Sequence, residues 1–190
     1  MNKDTNPETI NLGLEGTELH LMPLFGDDNG GVLHMLPGGQ DHPDWFGGAI
    51  KDVYSCFGTK KSGGRGGHYH HKLQEQFFSV GGTVLWVLSD FRKESSTFGR
   101  TIGVILGWNT PKETGGLQSY TVEETRHMAR LTIPNGVYHA LFPVAESFLV
   151  VALGSTGYDP EDYVYPNPKD VPDMEVILQR FKLDLPKARD

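Results

Sequence analysis

The stretch Gln76-Phe77-Phe78-Ser79-Val80-Gly81-Gly82-Thr83-Val84-Leu85-Trp86-Val87-Leu88 decides the fold class. Aromatic and β-branched side chains dominate both halves, and such residues favour the pleated surface of a strand. Two glycines separate the halves. Paired glycines between apolar runs predict a tight hairpin, because primed turns need positive φ. Similar signals lie on either side. Toward the N-terminus, Ile50 to Phe57, Val32 to Leu36 and residues 18–25 read as strands, with a turn at Gly26 to Gly31. Residues 37–48 read as loop, and Lys60 to Gly67, rich in glycine and lysine, as a loop or the bulged start of a strand. Toward the C-terminus, Thr101 to Trp108, Ala129 to Ile133, Val137 to Phe142 and Glu146 to Leu153 read as strands, the middle pair flanking Pro134-Asn135-Gly136. Only the end reads helical: Met174, Ile177, Leu178 and Phe181 fall at i, i+3, i+4 and i+7 after Pro172-Asp173, which predicts a terminal helix over 173–183.

Eight or more short strands and one helix predict an all-β chain, a double-sheet jelly roll or a related barrel able to hold a small ligand. Composition agrees. Gly (24) and Pro (12) are abundant among 190 residues, which favours turns over long helices. The length predicts a single domain over 1–190, with residues 1–10 as a loose tail.

The net charge of −7 argues against sequence-blind binding to nucleic acid or to an anionic membrane. A local basic pocket for a phosphorylated small molecule is compatible with it. Cys56 stands alone, so neither an intrachain disulfide, a thiolate zinc site nor a C-x-x-C motif is available. The longest apolar run, Phe148 to Leu153, is far short of the ~20 residues a spanning helix needs. With no apolar core in the first dozen residues, the chain reads as cytoplasmic.

Chemistry concentrates in Gly66-Gly67-His68-Tyr69-His70-His71-Lys72-Leu73-Gln74-Glu75 and in Pro134 to His139. On a strand, His68 and His70 share one face and His71 takes the other. His68, His70, Glu75 and His139 thus make a candidate site for a first-row divalent metal: Zn, Fe, Mn or Ni. A hydrogen-bonded His/Glu network lining a barrel is the alternative. His20, His34, His42 and His127 have no partner at meaningful spacing. Among Trp45, Trp86 and Trp108, which could stack on a base or sugar, Trp86 reads as core, and Cys56 as a packed small side chain.

These residues carry a resemblance. His68, His70, Glu75 and Gly82 fit the first cupin motif, H-x-H-x4-E-x6-G, and Pro134, Gly136 and His139 fit the second. Arg65-Gly66-Gly67-His68-Tyr69, Asp90-Phe91-Arg92, Ser96-Thr97-Phe98-Gly99, Ile133 to His139 and Thr156-Gly157-Tyr158-Asp159-Pro160-Glu161 resemble runs of the dTDP-4-dehydrorhamnose 3,5-epimerases. Asp27 to Gly30 sits where that family has D-x-R-G. The stretch from Arg65 to Glu75 also resembles nucleotide-linked 4-keto-sugar 3,4-ketoisomerases and a cupin domain fused to a capsular-polysaccharide reductase. The chain departs from the 3,5-epimerases at His70, where they have Gln, and at Glu75, where they have Lys; no aspartate matches their dyad partner near residues 165–168.

The resemblance implies a cupin jelly roll that inverts or isomerises a nucleotide-linked 4-keto sugar in surface-polysaccharide or deoxysugar biosynthesis, as a homodimer with exchanged N-terminal strands. It implies His68 as base and Tyr158 as proton donor. It further implies His70 and His139, or a metal, at the enolate oxygen, and Arg65 with Lys72 on the diphosphate. Such a reaction requires no cofactor. The residues alone leave Tyr158 equally readable as a turn-packing aromatic, and Arg65 and Lys72 as surface charges. A metal-dependent cupin oxygenase or lyase and a non-catalytic sugar-binding cupin are the competing classes. His68 is a point of conflict between them, because an imidazole whose lone pair is on a metal cannot also take a proton.

Overall fold

The computed structural model describes residues 8–27, 30–35, 46 and 50–188. His42, Trp45, Asp28, Asn29 and most of the 37–48 loop lie outside the described residues, as do residues 1–7 of the expected tail.

The strands are β1 (Glu8–Asn11), β2 (Glu18–Pro23), β3 (Phe25–Asp27), β4 (Gly30–Val32), β5 (Asp52–Thr59), β6 (Arg65–His70), β7 (Glu75–Asp90), β8 (Thr101–Gly107), β9 (Gln118–Thr121), β10 (His127–Ile133), β11 (Val137–Gly154) and β12 (Tyr163–Val164). Two short α-helices, α1 (Val122–Thr125) and α2 (Met174–Gln179), and short 3-10 turns at Lys60–Ser62, Pro160–Asp162 and Pro168–Asp170 complete the order among the described residues. The start of the chain is more ordered than its composition implies: β1 pairs antiparallel with β2 of the same chain.

The strand signals at 76–88 are right, but the hairpin is not there. β7 runs unbroken through Gly81-Gly82, and β11 likewise joins the two runs expected at 137–142 and 146–153. Each strand serves two sheet layers. The first part of β7 (75–78) pairs with β10, and its last part (83–89) with β8. β11 pairs with β6 near its start and with β5 over 147–154. The β7–β11 register breaks between Pro143 and Phe148 and again at Leu149/Val150, so both strands bend together between the layers. One layer is therefore β1-β2-β10-β7-β11-β5, and the other β9-β8-β7-β11-β6-β12. The glycines supply the bend rather than a turn. Gly82 has φ +66°, and a Cβ there would sit 1.9 Å from the Ser147 carbonyl oxygen.

Period-two alternation then sorts the side chains. Val84, Trp86 and Leu88 point between the layers, where they meet Leu19, Leu131, Val137, Leu141 and Val150. Leu85 and Val87 point outward and are covered by Met174, Ile177 and Leu178 of α2. The helix is shorter than its apolar spacing predicts. It ends at Gln179, and Lys182 adopts φ +54° while the Leu183 amide donates to the Leu178 carbonyl, so Phe181 lies in the closing turn. No helix of the described residues is long and apolar enough to cross a membrane.

Candidate functional site

The site lies between the layers, beside the core that β6, β7 and β11 enclose. His139 shares its face of β11 with Val137 and Leu141, and Glu75 shares its face of β7 with Phe77, all of them core residues. Antiparallel pairing sets His139 against His68 and, across β6, His70 against Tyr163. The Pro134-Asn135-Gly136 turn locks onto the end of β6: the Gly136 amide donates to the His70 carbonyl (2.7 Å) and the Asn135 side-chain amide to the His71 carbonyl (2.9 Å). Gly66 is needed for the close approach of β6 to β11, since a Cβ would lie 2.7 Å from the His139 carbonyl oxygen.

The four residues expected to form a metal site converge. Ligand atoms of His68, His70 and His139 all lie within 4.8 Å of one another. Glu75 Oε2 sits between two of them, 3.4 Å from His70 Nε2 and 3.2 Å from His139 Nε2. The far nitrogens of both rings have an oxygen nearby: His139 Nδ1 bonds the Val137 carbonyl at 3.3 Å, and His70 Nδ1 lies 3.4 Å from Asp162 Oδ2 without a hydrogen bond. The Tyr54 hydroxyl donates to the other oxygen of Glu75. Burial pushes the Glu75 carboxyl up, but His139, His70 and the Tyr54 bond outweigh it and hold it below the usual carboxylate value. Burial keeps His139 below an ordinary imidazole, against the pull of Glu75. Burial raises Tyr54 far above a free phenol, with Glu75 adding to it, so it keeps its proton.

His70, Glu75 and His139 are buried, whereas His68 is half-exposed at the mouth. Its ring centroid lies 4.8 Å from His70, 4.7 Å from His139, 4.8 Å from Tyr163 and 5.3 Å from Tyr165. Tyr158 is 73% exposed and reaches the cluster through Tyr163, whose ring is 5.7 Å away. Burial, with help from Glu75, pushes Tyr163 up to about 12. Lys72 points away from the lumen toward Asp159 (3.7 Å). Arg65 is exposed at the start of β6, where its Nη1 donates to the Ser62 and Gly64 carbonyls. Elsewhere, His20 pairs with Thr9 and Glu18, His127 bonds the Thr125 carbonyl and Trp86 is core, while Trp108 is exposed. Cys56 packs against the main core, and burial raises its thiol.

Three residues of the cluster escape the sequence reading: Tyr54, Asp162 and Tyr163. Asp162 also accepts the amides of Lys72 (2.8 Å) and Leu73 (3.0 Å), so it fixes the chain just beyond His70. The only local signal is the carboxylate after Pro160-Glu161, in a short helical turn, and it pairs with His70 rather than with His68.

A family model described as WxcM-like, C-terminal (FdtA) matches residues 15–114. No curated protein sequence matches the chain. Among solved structures, a dTDP sugar isomerase from Desulfovibrio desulfuricans is similar with TM-score 0.69 and 21% identity, over 93% of this chain and 98% of that one. The dTDP-6-deoxy-D-glucose-3,5-epimerase of Legionella pneumophila, solved with dTDP-4-keto-L-rhamnose, gives TM-score 0.66 and 17% identity, over 97% and 86%. A 3'-monoepimerase of Streptomyces bikiniensis, solved with dTDP-quinovose, gives 0.66 and 23%, over 86% and 75%. The shared fold is the cupin jelly roll, as the sequence predicts.

Proposed function

The chain belongs to the WxcM-like, C-terminal family, and from that footing we propose that it is an epimerase or isomerase of a nucleotide-linked 4-keto-6-deoxy sugar. The observation that carries the reading is the half-exposed His68, backed by the buried His70, Glu75 and His139 and edged by tyrosines. The names of the similar structures, all dTDP-sugar isomerases or epimerases, support the substrate class.

In this reading His68 takes the proton from the carbon beside the ketone. The C–H electron pair passes into the carbonyl and forms an enolate. Histidine suits the task because its ordinary pKa of ~6.5 lies near working pH. His70 and His139 stabilise the enolate oxygen, and Tyr158 returns a proton, with Tyr163 between it and His68. Arg65 holds the diphosphate, its planar fork matching phosphate oxygens. Lys72 would reach it only by leaving Asp159. The chain acts as one cytoplasmic cupin domain and as a homodimer, in a surface-polysaccharide or deoxysugar pathway. The test is solvent deuterium exchange at C3 and C5 across a panel of 4-keto nucleotide sugars. Exchange with at least one, followed by isomer formation, is expected; none across the panel refutes the reading.

One arrangement favours a metal in the same pocket. Metal-bound imidazoles usually direct their far nitrogen at a carboxylate or carbonyl, as His139 does at Val137, and His70 Nε2 and Glu75 Oε2 are buried in the pocket without a hydrogen bond. Separations of 3.2 and 3.4 Å from Glu75 suit ligands sharing one ion. The residues therefore fit a divalent ion held by His70, His139 and Glu75, with His68 as a further ligand. When bound, the ion would stabilise negative charge on the keto oxygen. Elemental analysis, with turnover measured before and after chelation, separates the cases. Stoichiometric metal with chelator-sensitive turnover moves the base role from His68 to Tyr158. Undiminished turnover in metal-free protein leaves it on His68.

A further inference from the structure

We propose that the C-terminal tail supplies a second phosphate-binding cation, Lys187, which shares a small pocket with Arg65 beside the histidine lumen and takes the diphosphate of the substrate. The proposal deepens the keto-sugar reading and rests on it for the rest of the ligand. The pocket, about 150 Å³, is lined by Arg65 and its glycine neighbours, Phe142, Tyr165, Pro186 and Lys187. It opens at the start of β6, the strand that ends with His68 and His70. Arg65 lies opposite Leu141 and His68 opposite His139, two residues apart on β11 because β6 bulges at Gly66-Gly67, or about 7 Å along the strand. Tyr165 forms a common wall, since it lines the pocket while its ring stands 5.3 Å from that of His68.

The path of the tail is fixed by structure upstream. The Leu183 amide donates to the Leu178 carbonyl and the Lys182 amide to the Gln179 carbonyl. With Lys182 left-handed, this closure reverses the chain after α2. Leu183 and Leu185 then pack on the cluster that contains Phe142. Pro186 follows and stiffens the last step before Lys187.

The charges also call for an anion. Lys187 and Arg65 make no ion pair among the described residues, in a chain whose net charge is −7. Arg65 uses Nη1 on the Ser62 and Gly64 carbonyls, which anchors the guanidinium and leaves Nε and Nη2 for a ligand. Two cations on a stiff frame match the two phosphates of a nucleoside diphosphate, and a fixed frame lowers the entropic cost of binding.

The experiment is a calorimetric titration with inorganic pyrophosphate, run beside steady-state turnover of the keto-sugar substrate. Lys187→Ala and Arg65→Ala should each weaken pyrophosphate binding about three- to tenfold. Lys187→Arg should restore most of the loss, and Lys112→Ala, an exposed lysine elsewhere, should change nothing. KM should rise by the same factor as the pyrophosphate Kd, with kcat moving much less. Equal pyrophosphate affinity in wild type and Lys187→Ala overturns the proposal, as does a wild-type protein that binds no pyrophosphate. If Lys187→Ala weakens pyrophosphate while no keto sugar is turned over, the phosphate subsite stands and the keto-sugar reading falls.

Discussion

At the scale of single residues, Asp90 shows how the site is held from behind. Its buried carboxylate accepts from the Arg92 backbone amide (3.0 Å), Arg92 Nε (2.9 Å) and Nη2 (2.7 Å), Ser95 Oγ (2.6 Å) and Thr97 Oγ1 (2.6 Å). The next residue, Phe91, donates its amide to the Gly136 carbonyl, and Gly136 donates to His70. Burial pushes Asp90 up, but the Arg92, Ser95 and Thr97 bonds outweigh it and hold it well below 3.8. A depressed carboxylate stabilises the fold above its unfolded value and loses that contribution as pH falls through the folded value. Asp90→Asn should therefore cost about 3 kcal/mol at pH 7 in urea titrations, and the gap to wild type should shrink below pH 3.8. A gap unchanged from pH 7 to pH 3 would refute the assignment. For His68→Asn the prediction is the reverse kind: proton exchange should fall by about 10² to 10⁴, with the melting temperature preserved because asparagine keeps a polar group in the space of a half-buried ring. Full retention of exchange would remove His68 from the base role. His68 and His70 are legible in the sequence because period two puts them on one face, and Glu75 and His139 because the two cupin motifs mark them; the β6–β11 pairing that brings His139 in spans 71 residues. Asp162, Tyr54 and Tyr163 are not, because β12, β5 and a helical turn bring them in through pairings between segments far apart in sequence.

Among the elements, β7 and β11 matter most, since their shared bend joins the two layers and so forms the space in which the histidines meet. The strand residues of 76–88 are readable because they are aromatic and β-branched. The role of the two glycines is not, because a primed turn and a bent, bulged strand both ask for positive φ without a Cβ. What distinguishes them is the partner. Phe148 and Leu149 pair with Gly82 and Gly81, and the Ser147 carbonyl occupies the place a side chain would take. Gly82→Ala should accordingly destabilise the protein by about 3–4 kcal/mol and lower activity by displacing the start of β7, where Glu75 sits. Gly116→Ala is the control, because it also has positive φ but has open space around it. Its cost should be about 1 kcal/mol. Equal urea midpoints for the two variants would refute a special role for the bend. The terminal helix teaches a similar lesson: its apolar spacing identifies the buried face, but hydrogen bonding at Leu178 and Gln179 sets its end.

On the scale of the whole molecule, the outer surface bears on assembly. Among the described residues β5 is an edge strand, paired only with β11. Its Val53 is 60% exposed and its Phe57 69%, and Phe57 lies directly across from Leu149, which is 40% exposed. These three residues lie on one face by strand alternation and cross-strand register, while Leu153, opposite Val53, is buried. An edge strand with outward apolar side chains invites pairing, and isolated chains usually blunt such edges with charge or proline. Asp52 at one end is the sole charged residue of β5, and the strand contains no proline. A second copy covering the strand would bury Phe57 and Leu149 and remove the exposed edge in one step, which supports the homodimer proposed above. Light scattering at tens of micromolar should give twice the chain mass of 21.1 kDa. Phe57→Glu should shift the population to monomer, because its carboxylate would have to be desolvated opposite Leu149. Lys112→Glu, which changes charge away from this strand, should leave the dimer intact. A wild-type monomer at that concentration would exclude a stable dimer. A dimer untouched by Phe57→Glu would move the interface off β5 to another surface.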